Sequence, residues 1–197
     1  LDSDTRPPQQ PLDDGYVDFS GVLHIHTAYS HDAQGRIEDV IRAANEQQLD
    51  YAIITEHNNL RPLRDGWQGW HNNTLILVGT EVSTRGGHYL AFNVTQEIDR
   101  DHLDTQQVID EVNRQGGLGF IAHPYFKNGR WRDWTVHGFT GIEAYNVAHD
   151  TLDENKARLA AGEPAPHLSG FAVPMRSTRP RGSGRPPPPA RAWPSSS

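Results

Sequence analysis

The run Leu23-His24-Ile25-His26, followed by Ser30 and Asp32 and then by Glu56-His57-Asn58, sets imidazoles and carboxylates at the close spacing that metal binding requires. On an extended strand side chains alternate between faces, so His24 and His26 are expected on one side and Leu23 and Ile25 on the other. Neutral imidazole is the commonest protein metal ligand, and Asp32 with later carboxylates would complete a mixed nitrogen and oxygen site suited to zinc, iron or manganese. A His-x-His pair alone fits two partly exposed histidines on an edge strand equally well. The donors accumulate, however: Glu81 in Val78-Gly79-Thr80-Glu81-Val82, His88 in Gly86-Gly87-His88-Tyr89-Leu90, and His123 in Phe120-Ile121-Ala122-His123-Pro124. Each stands at or near the end of a short apolar run that reads as a strand, which is where α/β barrels display the residues of their chemistry.

The elements that must position these donors follow from periodicity. Strands are expected at Gly21 to His26, Tyr51 to Thr55, Leu75 to Val78, Tyr89 to Val94, Leu118 to Ala122 and Gly141 to Tyr145. Ile37, Val40, Ile41 and Ala44 fall on one face of a helix spanning about Ile37 to Gln48. A second helix starts near Asp104, with Gln107 placed for a capping box, and ends at Gly116-Gly117. Alternating strands and helices point to a mainly parallel α/β sheet or barrel, with too few strands to close seven.

In this order, His-x-His with Ser30 and Asp32, Thr55-Glu56-His57-Asn58, Gly79-Thr80-Glu81, Gly87-His88 and Ala122-His123-Pro124 resemble the PHP family, the polymerase and histidinol phosphatase domains, over roughly Gly21 to Asn146. The longer run from Gly21 to Asp32 is similar to bacterial stand-alone PHP metallohydrolases rather than to polymerase subunits. The resemblance implies a distorted (β/α)7 barrel, here incomplete at its C-terminal end, that hydrolyses a small-molecule phosphoester with two or three divalent ions, Zn, Mn or Fe, and a metal-bridging hydroxide. Carried over residue by residue, His24, His26 and Glu81 would hold one ion, Glu81 would bridge to a second held also by His88 and His123, and Asp32 and His57 would hold a third. Glu81, His57 and Asp32 are the catalytic expectation. The family completes its set with a late Asp-x-His; here His149-Asp150 has the reverse order and His167 stands alone, so neither is carried over and at most two ions are expected to bind tightly.

Metals suit this chemistry because two cations bridged by a carboxylate neutralise phosphoryl oxygens and lower the pKa of bound water toward neutrality. No Ser-His-Asp triad is then needed, so Ser30 and Ser83 read as supporting or turn residues. The same activated water can attack a carbonyl, which keeps a hydrolase of non-phosphate esters open, and the missing motif keeps open a truncated metal-binding remnant with little activity. Arg85, Lys127 and Arg130 follow donor strands and are the candidates for holding phosphate, with Arg132 nearby. Trp131 and Trp134 either wall a substrate pocket or pack their loop onto the domain.

With no cysteine, thiolate sites and disulfides are excluded. A formal net charge of -7 argues against general binding to a phosphate backbone, and no apolar run is long enough to suggest a membrane span. Residues 1–19 read as a flexible leader of the kind that removal of an export signal leaves, which keeps the compartment open between cytoplasm and export. Residues 20–161 read as the metal-binding α/β domain. Residues 162–197 turn to Pro, Arg, Gly and Ser, with Pro186-Pro187-Pro188-Pro189 and Arg176, Arg179, Arg181, Arg185 and Arg191, and are expected to be disordered.

Overall fold

The computed structural model describes residues 16–126 and 129–146, and the backbone of residues 173–178. Their elements are β1 (Tyr16–Ile25), α1 (Ile37–Glu46), β2 (Tyr51–His57), α2 (Arg61–Arg64), β3 (Gly69–His71), β4 (Thr74–Ser83), β5 (His88–Phe92), α3 (Thr105–Arg114), β6 (Leu118–Ile121), β7 (Gly141–Ile142) and β8 (Val173–Thr178). The strands form one mixed sheet in the order β7-β6-β5-β4-β2-β1-β8, with β3 pairing part of one edge of β4.

The expected (β/α)7 alternation is not what the described residues form. Pairing is parallel for β1 with β2, β2 with β4 and β6 with β7, but antiparallel for β1 with β8, β3 with β4, β4 with β5 and β5 with β6. The physical reason is clearest between β4 and β5: Thr84 to Gly87 is too short for a crossover, so the chain can only turn back. The sheet nevertheless curls into a half-barrel. Along its order β7 stands five strands from β1, which in a flat sheet means about 24 Å. Yet Glu143, one residue past β7, reaches His24 of β1 at 2.8 Å.

Burial explains the helices. Ile37 and Ala44 of α1 pack on Ala52, Ile54 and Ile76 on one side of the sheet. Val108, Ile109 and Val112 of α3 close a second core with Val82, Tyr89, Ile121 and Trp131. The expected capping box forms: Asp104 accepts from the Gln107 N–H, and the Gln107 side chain accepts from the Asp104 N–H. Helix α1 ends two residues short of the expected Gln48.

Two segment boundaries differ from the sequence reading. Tyr16 to Phe19, placed in the leader, belong to β1, and residues 173–178, placed in the unstructured tail, pair antiparallel with Tyr16 to Gly21. Apart from these, residues 1–15 and 162–197 lie outside the described residues, as do Lys127, His149, Asp150 and His167. Among the described residues no helix is long and apolar enough to cross a membrane.

Gly119 shows how tightly β5 and β6 pack. A Cβ there would fall on the ring of Tyr89, which is fully buried. Gly119→Ala is expected to cost about 1–3 kcal/mol through overpacking and so to lower Tm by several degrees, whereas Gly35→Ala, with nothing nearby, leaves Tm unchanged. Thermal unfolding of the two variants checks this; equal Tm values would contradict the packing at Gly119.

Candidate metal centre

Glu81 lies in the buried stretch of β4, in register with His57 of β2 on one side and Leu90 of β5 on the other, and its side chain is 1% exposed. Five histidines surround its carboxylate. On Oε1 stand His88 Nδ1 at 2.7 Å and His123 Nε2 at 2.9 Å. On Oε2 stand His26 Nε2 at 2.9 Å, His24 Nε2 at 3.1 Å and His57 Nδ1 at 3.3 Å. The two oxygens thus divide the donors into the two sets expected for a bridging carboxylate, with His57 joining the Oε2 side.

Each donor is delivered to the same rim of the sheet. His57 ends β2 and His123 follows β6, while His88 begins β5, whose antiparallel direction returns its start to that rim. His24 and His26 converge as alternation requires, but not along a regular strand. The pairing of β1 with β2 shifts register between Val22 and Ile25, and His24 has φ of 63°. His123 has φ of 24° and Asn58 of 53°. Positive φ at a non-glycine residue costs roughly 1–3 kcal/mol and gathers at functional sites.

Neighbouring groups hold these turns. Glu56, completely buried, accepts from the Thr27 N–H at 3.0 Å and from its hydroxyl, fixing the chain just after His26. Ser30 Oγ accepts from the His57 N–H at 2.8 Å, and Asn58 exchanges bonds with Ser83. Ser30 thus holds the main chain at His57, and Ser83 the side chain of Asn58.

The donor set fits divalent metals. Two ligand atoms each about 2.1 Å from one ion stand about 3 Å apart at a right angle and about 3.4 Å apart at the tetrahedral angle, and the separations of 2.7–3.3 Å around Glu81 lie close to that range. His26 Nε2, His57 Nδ1, His88 Nδ1 and Glu81 Oε2 are buried at those distances without making a hydrogen bond of acceptable angle, so their lone pairs face a shared space rather than one another's protons. Three groups of donors are compact enough to hold an ion: His24, His26 and Glu81; His26, Asp32 and His57; and His57, Glu81 and His88.

His26 and His57 belong to two groups each. Asp32 Oδ2 lies 3.0 Å from His26 Nδ1 and 3.2 Å from His57 Nε2, the nitrogens turned away from Glu81. A neutral imidazole has one lone pair and one N–H. When these rings give their lone pairs to the Glu81 side, their protons point at Asp32, which then orients them instead of serving a third ion. His31, with its ring 4.9 Å from that of His57, is the only other histidine seen against this group among the described residues.

The charges follow. Burial alone would raise the Glu81 carboxyl, but the imidazoles of His123, His24, His26 and His88 around it hold it far below the ordinary carboxylate range. Burial works against a charged His24, yet Glu143 and Glu81 raise it to about 9. Burial lowers His57, against the pull of Glu81 and Asp32.

Glu143 is the functional residue that sequence reasoning missed. Its side chain is 6% exposed; Oε1 lies 2.8 Å from His24 Nδ1 and accepts from Asn146, and Oε2 accepts from the His123 N–H at 2.7 Å. Gly141-Ile142-Glu143 carries the same signal as Gly79-Thr80-Glu81, a glutamate at the end of a short apolar run. Of the expected phosphate holders, Arg85 lines a cavity with Asp104, Asp133 and His137, and Arg130 one with Tyr125, Arg132 and Trp134. Trp131 is 2% exposed and packs in the core, and Trp134 is half exposed.

A buried carboxylate ringed by imidazoles at one rim of a mixed α/β sheet is a donor cluster that could hold metal. A PHP domain family model matches residues 23–163, and the chain belongs to that family. It is 27% identical over 111 residues to an uncharacterized protein of Methanocaldococcus jannaschii, covering 55% of this chain and 40% of that one, so the chain spans less than half of that relative. Among solved structures it is similar to a two-domain protein of Bacteroides vulgatus described as containing a predicted PHP-like metal-dependent phosphoesterase, with TM-score 0.46, 21% identity and coverage of 73% of this chain and 43% of that one. A second, described as a candidate metal-dependent phosphoesterase of Bifidobacterium adolescentis, gives TM-score 0.48 and 15% identity over 72% of this chain and 83% of that one.

Glu143→Gln keeps the side chain's shape and removes its charge from His24. Loss of a carboxylate that orients a ligand imidazole typically weakens metal binding about 10- to 100-fold. Zinc competition against a chromophoric chelator should show that loss for Glu143→Gln and none for the exposed Glu46→Gln; equal affinities would remove the orienting role.

Proposed function

We propose that the chain is a metal-dependent hydrolase of small-molecule phosphoesters, and the observation that carries this reading is the placement of five imidazole nitrogens within 3.3 Å of the two Glu81 oxygens. His24, His26 and Glu81 would hold one divalent ion, and Glu81, His88 and His123 a second, with His57 at the junction. Such ions, zinc, manganese or iron, supply neutralisation of phosphoryl oxygens and a water acidic enough to attack near neutral pH.

The chain's own residues do the rest. Glu81 contributes one negative charge against several neutral imidazoles, which leaves a metal-loaded pocket positive and attractive to a phosphate. Its burial keeps bulk water from screening that charge. Asp32, 41% exposed at the mouth, takes the protons of His26 Nδ1 and His57 Nε2 and so keeps their other nitrogens turned inward. Glu143 does the same for His24 from the far end of the sheet.

The mixed nitrogen and oxygen donor set would equally serve hydrolysis of a carboxyl ester, which makes that the second reading. A panel of phosphomonoesters, phosphodiesters and carboxyl esters, assayed with the metal-loaded chain, separates the two. Phosphate release is expected, abolished by a chelator and restored by the metal, and reduced more than about 100-fold in Glu81→Gln. Turnover of carboxyl esters alone would transfer the site to the second reading, and metal binding without turnover of any ester would leave a remnant centre.

A further inference from the structure

We propose that the cleft between Tyr125 and Trp134, beside His123, binds a planar aromatic group carried by the phosphoester, a nucleobase or similar ring. The inference rests on the phosphoesterase reading for the seat of the phosphate itself. Two large aromatics are held out in water here: Tyr125 is 85% exposed and Trp134 51%. Their ring centroids stand 6.4 Å apart, with the planes 28° from parallel. Two rings that sandwich a third stand about 7 Å apart, twice an ordinary carbon contact, so a small side-chain adjustment admits a flat guest.

The walls and floor are built. A cavity of about 420 Å³ is lined by Tyr125, Trp134, Pro124, Trp131, Arg130 and Arg132. The buried Trp131 anchors it: its main-chain N–H donates to the Pro124 carbonyl at 3.0 Å and its indole N–H to the Asp133 carbonyl at 2.5 Å. The Arg132 N–H donates to the Gly86 carbonyl at 2.7 Å, tying the loop to the turn before His88. The cleft thus hangs from the segments that carry two metal donors, His88 and His123. Arg130 and Arg132 are exposed, and among the described residues neither forms an ion pair. On a chain of net charge -7, two exposed guanidinium groups on the loop that follows His123 favour an anionic ligand, and guanidinium also stacks on flat rings.

Benzylphosphonate and propylphosphonate share a head group that cannot be hydrolysed and differ in the ring, so they separate the two inferences. By titration calorimetry of the metal-loaded chain, benzylphosphonate is expected to bind at least about 5-fold more tightly, the lower end of what stacking contributes. Tyr125→Ala and Trp134→Ala, at exposed positions, should erase that difference while leaving propylphosphonate unchanged, and Tyr125→Phe should restore it. Equal affinity for the two ligands, or a preference that survives both alanine variants, overturns the aromatic cleft and leaves the phosphate seat standing. Failure of both ligands to bind overturns the two readings together.

Discussion

A single carboxylate with almost no access to water organises this domain. Glu81 sits on the central strand β4, and five imidazoles from four strands and the turns that follow them close around it. An anion so deeply buried is costly unless it is surrounded by partners. The partners here stand 2.7–3.3 Å from its oxygens, and several of their nitrogens form no well-angled hydrogen bond, so the arrangement could hold cations.

That demand reaches into the backbone. To bring both His24 and His26 to Oε2, β1 abandons regular pairing and His24 takes a positive φ; to bring His123 to Oε1, the chain after β6 does the same. Strain at these points is offset by the bonds of Glu56, Ser30, Asn58 and Glu143 around them. Glu143 has the longest reach, since it joins His24 on β1 to the His123 main chain and so ties together strands five places apart in the sheet. The curl of the sheet and the geometry of the centre are thereby one feature.

The cluster was legible in the sequence as a set of positions, because strand ends are marked by short apolar runs and His24, His26, Asp32, His57, Glu81, His88 and His123 do gather in one place. Strand direction was less legible. Periodicity reports which face is buried and not which way a strand runs, so the antiparallel β5 was read into a mainly parallel sheet although the four residues before it leave room only for a turn. Glu143 and Glu56 escaped because they act on other side chains and on main-chain N–H groups. Their types match those of donors, and only the fold reveals that one faces His24 and the other Thr27. The sharing of His26 and His57 between Glu81 and Asp32 is likewise invisible to spacing, since it depends on which ring nitrogen faces which carboxylate.

Anomalous diffraction from crystals of the chain loaded with zinc or manganese tests the central proposal, that Glu81 would join two ions through its two oxygens. The account predicts two strong peaks about 3.5–4 Å apart, one near Oε2 with His24 and His26 and the other near Oε1 with His88 and His123. A single peak, or peaks that leave one Glu81 oxygen bonded only to a histidine proton, would contradict it.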